Sequence, residues 1–132
     1  MKELFQAIMT AFNADPPPEL HTLLSGRLFY DHVPQKTRAP FAVMSPISGT
    51  NFDTFSARIT NLRLQVSLFS ARGSSAECWD LCRAATDFFE KTDFAVNGYT
   101  VRLIRIMEPL PRRGGERLWA AHGDYRALIQ DI

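Results

Sequence analysis

The chain has 132 residues, of which 45% are hydrophobic and 22% are charged, a composition typical of one globular domain. Its 15 basic and 14 acidic residues nearly cancel. This argues against a general nucleic-acid or membrane-surface binder, since either usually needs a clear basic excess. Apolar runs are too short for a membrane span. A signal peptide begins with a basic segment followed by an apolar one, and the acidic Glu3 near the N-terminus does not fit that pattern. We therefore expect a soluble domain over residues 1–132, made in a cytoplasm.

Two helices and two strands are predicted in the first third of the chain. Apolar residues within 3–13 recur on one face of a helix, and the proline run 16–18 ends it, because proline cannot continue a helix interior. A second, short helix is expected within residues 18–24. Strands are expected at residues 27–33 and 39–45.

A longer strand and a longer helix follow a turn-rich loop at residues 46–54. Residues 62–68 alternate between apolar and polar, which predicts a strand with one wet face. Glu77 follows Ser74 at the spacing of a capping box, and the helical pattern then continues to about residue 91. The apolar face of this helix is predicted to carry Cys78, Trp79, Cys82, Ala85 and Phe89.

Alternation returns at residues 99–107 and 118–129, which predicts two further strands. The segment 109–116 between them, rich in Pro, Gly and Arg, is predicted as a loop. The short connections favour an α+β fold: a mainly antiparallel sheet of about four to five strands, with the N-terminal helix and one long central helix packed on one face.

No cluster of residues in the sequence has the ligand count or spacing that catalysis needs. Cys78 and Cys82 lie one helical turn apart, but a structural zinc site needs four ligands, so we interpret both as small core residues. The histidines His21, His32 and His122 lie on three separate elements. No nucleophile elbow or phosphate-binding loop is present. We predict no catalytic residue, no cofactor and no metal.

The 46–55 loop contains two aromatic residues, Phe52 and Phe55, in otherwise polar surroundings. Apolar aromatics in such a loop either fold back on the core or, if they are exposed, anchor an interface. Both readings stay open, and the second makes Phe52 and Phe55 candidates for contact with another protein.

The 109–117 loop carries a cluster of three arginines, Arg112, Arg113 and Arg117, around two glycines. One reading is a solvated hairpin tip. The other is a basic loop that touches phosphate or an acidic partner surface. The three arginines are therefore the second set of candidate interface residues.

The order of these features resembles the tail-terminator or tail-completion proteins of long-tailed phages, prophages and gene transfer agents. The resemblance covers nearly the whole chain: the first helix with Leu4, Phe5 and Ile8, then segments 26–30, 34–35, 39–44, 62–70, 74–76 and 124–129. The proline run 16–18 departs from the family, because it lengthens the link between the first helix and the first strand.

The resemblance implies a non-enzymatic virion protein that assembles as a homohexameric ring. Such a ring caps the head-proximal end of the tail tube, ends tube growth and provides the head–tail joining surface. Its partners would be itself, the tail-tube protein and a head-completion or neck protein, with DNA passing through the lumen without specific binding. The 46–55 loop is expected at a ring neighbour or the tube, and the 109–117 loop at a ring end or the lumen.

Three alternatives remain open at this point. The chain could be a tail-tube or head-completion protein of the same particle. It could be a ligand-binding or enzymatic α+β domain that uses Cys78, Cys82 or His32. It could be a nucleic-acid-binding module that uses the arginines of the 109–117 loop.

Overall fold

The computed structural model describes residues 2–47, 62–71, 75–96, 98–115 and 118–130. Within them, three helices accompany one sheet of seven strands, so the predicted mixed α+β class is confirmed. The helices are α1 (Lys2–Phe12), α2 (Glu19–Leu24) and α3 (Ala76–Lys91). The strands are β1 (Leu28–Tyr30), β2 (Phe41–Pro46), β3 (Arg63–Ser70), β4 (Phe94–Val96), β5 (Tyr99–Met107), β6 (Arg112–Gly115) and β7 (Leu118–Gln130).

The predicted four to five strands are too few, because β4 and β6 were not anticipated. Both are short, at three and four residues. A strand of that length shows too few alternations to stand out in a sequence, and its pairing depends on the neighbour that it meets. The predicted 109–116 loop is correspondingly shorter than expected, because β6 occupies its second half.

The sheet has the order β1-β2-β3-β7-β5-β4, and β6 also pairs with β7. Pairing is antiparallel throughout the described sheet except between β1 and β2, which are parallel. Strand β3 lies along one side of β7. On the other side, β5 pairs with residues 124–130 of β7 and β6 pairs with residues 118–120, so β6 continues the line of β5 after a short interruption.

The pleat of β7 separates the sheet into two faces. Ala121, Tyr125 and Ala127 point to the inner face, where they are buried, and the intervening His122 and Arg126 are exposed on the outer face. The alternation predicted for this strand, and for β3 and β5, is therefore observed.

Helix α3 covers the inner face and contacts β3, β5 and β7, whereas α1 contacts β4 and α2 contacts α3. At the other edge of the sheet, the ring of Phe5 on α1 lies 4.0 Å from the ring of Tyr30 on β1. Buried residues of all three helices join the inner-face residues in one apolar core. The N-terminal helix thus reaches both edges of the sheet.

Phe88 of α3 lies at the centre of an aromatic cluster that joins these elements. Its ring centroid is 6.0 Å from that of Phe12 on α1, 5.0 Å from that of Phe89 and 5.9 Å from that of Phe94 on β4, all in edge-on geometry. Such pairs add stabilisation beyond the area they bury. One side chain therefore ties the N-terminal helix, the central helix and an edge strand together.

The placement of Trp79 on the buried face of α3 was wrong, because its side chain is 53% exposed. The buried face is centred instead on Cys78, Leu81, Cys82 and Ala85. Successive helical residues are about 100° apart, so a residue next to Cys78 can lie beyond the edge of the apolar stripe. A tryptophan that is half exposed is unusual in a folded chain, so Trp79 is a candidate for contact with another protein.

We expect Phe88→Ala to lower the free energy of unfolding by about 3–5 kcal/mol, because it leaves a cavity among three aromatic rings. Urea denaturation followed by circular dichroism measures the change. Trp79→Ala on the same helix is the control and should cost about 1 kcal/mol or less in the monomer. Equal losses for the two variants would contradict the described packing of α3.

Candidate interaction surface

The outer sheet face consists of side chains that the pleat turns away from the helices. In strand pairing, Arg63 stands opposite Arg126, Gln65 opposite Asp124, Ser67 opposite His122 and Phe69 opposite Ala120. No helix among the described residues contacts this side of β3 or β7. The face therefore lies on the side of the sheet opposite to α3, the helix that contacts β3, β5 and β7.

An aromatic ladder crosses one end of the outer sheet face. The rings of Phe41 and Phe69 are stacked with their centroids 4.9 Å apart, Phe29 lies 6.5 Å from Phe41, and His122 lies 6.1 Å from Phe69. The three phenylalanines are half-buried. Cross-strand aromatic pairs of this kind stabilise a sheet, here at a face that none of the three described helices covers.

An exposed apolar strip lies at the other end, where β5 finishes. It consists of Ile104, Ile106, Met107 and Leu110, which are between 37% and 48% exposed. A register shift between Arg105 and Met107 interrupts the pairing of β5 with β7 at this place. Bulges re-aim side chains, and here an otherwise alternating strand presents consecutive apolar residues to solvent.

A groove of about 250 Å³ lies beside the apolar strip. Its lining consists of Gln65, Met107, Glu108, Leu110, Arg112 and His122. The His122 ring is held in place, because its Nδ1 shares a hydrogen bond of 2.8 Å with the Ser67 hydroxyl. The groove is thus a mixed polar and apolar surface with one carboxylate, Glu108, and one guanidinium, Arg112.

Two arginines stand next to the apolar strip, and Asp124 lies in the next row of the same face. Arg63 and Arg126 are directly opposite each other on β3 and β7, and Ile104 is the next residue in the same row on β5. Both arginines are exposed, and neither has an ion-pair partner among the described residues. Like charges directly opposite on a sheet are destabilising, by about 0.2–1 kcal/mol.

The segment after β5 is fastened to the inner side of the sheet. Pro109 is buried and packs against the backbone at Gly123, where an added Cβ would come within 3.0 Å of the proline ring. Arg105 lies between two carboxylates, with its Nε 3.3 Å from Glu90 Oε1 and its Nη1 3.5 Å from Glu108 Oε1. These contacts hold the exposed apolar strip in a defined position.

The solvent side of α3 carries charges of both signs, because Asp80 and Asp87 are exposed and so are Arg83 and Lys91. Asp80 is exposed next to Trp79 and has no ion-pair partner among the described residues. Arg83, one turn further on, forms a two-pronged pair with Glu19 of α2, with N···O distances of 2.9 and 3.2 Å. The Arg83 guanidinium also lies within electrostatic reach of Asp80, but its direct ion pair is with Glu19, so Asp80 has no direct ion pair among the described residues.

Of the predicted interface residues, Arg112 and Arg113 lie in strand β6 rather than in a loop. They point to opposite sides of it: Arg112 is paired with Ala120 on the outer sheet face, whereas the Arg113 guanidinium lies 5.3 Å from the centre of the Trp119 ring. The expected cluster is thus divided between two faces. Phe52, Phe55 and Arg117 lie outside the described residues.

The residues that flank the apolar strip, Arg63 and Arg126, were not anticipated, although both stand in strands that were. Strand alternation placed each on a polar face, but their pairing depends on the register between β3 and β7. A single sequence does not reveal the register that brings together two residues 63 positions apart.

The cysteines have the properties of core residues. Cys78 and Cys82 are free thiols, 0% and 5% exposed. A hydrogen bond with Cys78, together with burial, raises the pKa of the Cys82 thiol well above its usual range. The same hydrogen bond lowers the pKa of the Cys78 thiol, but Cys78 is 0% exposed. Reactive cysteines are at least partly exposed, so neither thiol is placed to act as a nucleophile or metal ligand. Among the described residues, no group of three or more His, Cys, Asp or Glu side chains could hold a metal ion.

We expect Gly123→Ala to displace Pro109 and lower the free energy of unfolding by about 1–3 kcal/mol, because the new methyl group has no room. Gly114→Ala is the matched control: its Cβ would meet its nearest neighbours at an ordinary 3.5 Å. Thermal or urea denaturation measures both variants. A harmless Gly123→Ala would show that Pro109 does not pack as described.

We expect both thiols of the native chain to resist Ellman's reagent at pH 8 and to react fully once the chain is unfolded in guanidinium. The physical reasons are burial of both sulfurs and the raised pKa of Cys82. Absorbance of the released thiolate follows the reaction. Rapid labelling of either thiol in the folded chain would contradict this burial and favour a reactive cysteine.

Comparison with known proteins supports the family resemblance. The chain is similar in fold to a solved structure described as "Virion of native gene transfer agent (GTA) particle", with a TM-score of 0.62 and 14% identity over 97% of this chain and 92% of that one. A second solved structure gives a TM-score of 0.64 at 12% identity, over 100% and 97% of the two chains. No curated protein matches the sequence significantly. No helix in the described part of the chain is long and apolar enough to cross a membrane.

The sequence also matches the family described as "Tail completion protein gp17" over residues 4–130. That match spans nearly the whole chain and confirms the resemblance that was based on scattered segments. It also confirms the expectation of a non-enzymatic chain, since the family consists of structural virion proteins. The chain belongs to the tail completion protein gp17 family and is a structural component of the tail of a virion or phage-like particle.

Proposed function

We propose that the chain forms a ring that caps the head-proximal end of the tail tube, ends its growth and offers the surface to which the head is joined. The observation that carries the proposal is the match to a tail completion family over residues 4–130. A protein that completes a tail acts once per tube at its end, whereas a tube protein repeats along the whole length.

The surface of the described chain suits a ring subunit. A ring built head to tail needs two different patches on each subunit. The outer sheet face with its apolar strip is one such patch, and the solvent side of α3 with Trp79 is a different one. Exposed apolar side chains flanked by charged ones are typical of protein–protein contacts.

The edges of the sheet are less suited to joining copies. The outermost strands, β1 and β4, have three residues each, and α1 contacts both edge regions. Short and covered edges discourage pairing of strands between chains. We therefore expect the faces of the fold, rather than continued strand pairing, to join ring neighbours.

The partners of such a ring are further copies of the chain, the tail-tube protein and a head-completion or neck protein. With a net charge of +1, the chain has no overall basic excess with which to hold DNA in a lumen. DNA would accordingly pass through the ring without specific binding. The candidate residues Phe52, Phe55, Arg112, Arg113 and Arg117 remain proposed contacts of the ring, its neighbours or its lumen.

The proposal is tested by adding the purified chain to tail tubes of the particle that encodes it. We expect electron microscopy to reveal the protein at one tube end only, and tubes assembled without it to grow beyond their normal length. Mass photometry should detect a species of about 90 kDa, which corresponds to six copies of the 15.0 kDa chain. The chain with its first helix deleted, which loses Phe5 and Phe12 from the core, serves as the unfolded control.

Two outcomes would contradict the ring proposal. Polymerisation of the chain by itself into long tubes would identify a tube protein instead. Tubes that reach normal length in its absence, with no protein at either end, would favour a position in the neck on the head side.

A further inference from the structure

We propose that ring neighbours associate through two specific surfaces: the apolar strip with Arg63 and Arg126 on one copy, and Trp79 with Asp80 on α3 of the next. This inference rests on the proposed ring, and it names the two sides of its subunit contact. It commits to a second copy of this chain as the occupant of the outer sheet face.

The two surfaces are different, and they adjoin along the segment after β5, where Trp79 lines a pocket with Glu108 and Pro109. Helix α3 contacts the inner face of β3, β5 and β7, so its solvent side points away from the sheet. Ile104, Arg63 and Arg126 form one row on the outer face of the same three strands. A contact between two different surfaces of the chain is head to tail, and repetition of it builds a ring when the rotation closes.

The charges of the two surfaces are complementary and unpaired within the chain. Arg63 and Arg126 have no ion-pair partner among the described residues, and neither does Asp80. Two opposed arginines weaken the isolated sheet. A carboxylate brought by a neighbour would remove that repulsion, whereas pairing of two copies through the same basic surface would double it.

The apolar parts are complementary as well. Trp79 is the most exposed large hydrophobic residue of the described chain, at 53%, and the strip offers Ile104, Ile106 and Met107 at 37%, 48% and 44%. Tryptophan and arginine are the residue types that most often dominate binding energy at protein interfaces. Burial of the indole against this strip would remove the largest exposed apolar groups of both surfaces from water.

DNA is the competing occupant of a basic surface. Phosphate contacts use arginine and lysine together with polar groups, but they gain nothing from exposed isoleucine and methionine. The strip beside Arg126 is apolar over four side chains. The combination favours a protein surface over a phosphate backbone.

The test uses two variants, each with one damaged surface: Arg63→Glu/Arg126→Glu on the sheet and Asp80→Arg on α3. We expect each alone to weaken association by roughly 100-fold, because like charges then face each other across the contact. Sedimentation velocity over a concentration series measures this, with tail tubes present if the unaltered chain needs them to assemble. Arg38→Glu, an exposed reversal outside both surfaces, is the control and should assemble normally.

Mixing the two variants distinguishes a head-to-tail contact from any other. Each surface of one variant is then opposite in charge to the contacting surface of the other, so an equimolar mixture should form a ring of about 90 kDa, six times the 15.0 kDa chain, in which the two variants alternate. The chain that carries all three reversals has exchanged the charges of its two surfaces and should recover ring formation. Circular dichroism and urea denaturation verify that each variant is folded. If Arg63→Glu/Arg126→Glu does not fold, Arg63→Gln/Arg126→Gln is used in its place.

The outcomes separate this inference from the proposed function. Rings that form normally from both variants would overturn the assigned surfaces and leave the ring intact. Failure of the triple variant to recover association would overturn them as well. So would salt-dependent binding of a double-stranded DNA fragment that Arg63→Glu/Arg126→Glu abolishes without any effect on assembly. Absence of rings from the unaltered chain, on tubes and alone, would instead remove the proposed function itself.

Discussion

The pairing of β7 on both of its sides is the constraint on which the rest of the structure depends. This strand of 13 residues pairs with β3 over residues 119–126 on one side, and with β6 over 118–120 and β5 over 124–130 on the other. Because side chains alternate, one register fixes both faces at once: Tyr125 enters the core and Arg126 enters solvent. A slip of one residue would bury Arg126 and expose Tyr125. Core packing therefore also determines which charges the outer sheet face presents.

Buried contacts on the inner face also explain why the apolar strip stays exposed in the folded chain. The bulge after Arg105 re-aims Ile106 and Met107, and Pro109 then fastens the segment at Gly123, the position on β7 where no side chain opposes it. Exposed apolar groups that were mobile would tend to collapse onto the core. Here the backbone is held by buried contacts, so the apolar groups stay available to a partner at a small entropic cost on binding.

The sequence was most informative where periodicity was long. The alternation of residues 62–68 and 118–129 and the helical pattern up to residue 91 correspond to β3, β7 and α3. It was least informative for short elements. β6 begins with two arginines and ends with two glycines, a composition typical of a turn, and it becomes a strand only because β7 extends far enough to pair with it. The prediction for Trp79 failed for another reason: helical spacing located the apolar face of α3 but not where that face ends.

The candidate interface was harder to predict than the fold for a physical reason. A catalytic site gathers particular residue types at particular spacings, and their absence could be read from the chain. An assembly surface needs only exposed apolar area and complementary charge, which many combinations of residues supply. Arginine clusters in the sequence pointed to Arg112 and Arg113, yet the fold places them on opposite sides of β6. The unpaired charges that stand together, Arg63 and Arg126, are 63 residues apart and meet only through strand register. For a protein whose work is assembly, the informative signal is thus the charge that the fold leaves unpaired, and it becomes visible only once the strands are in register.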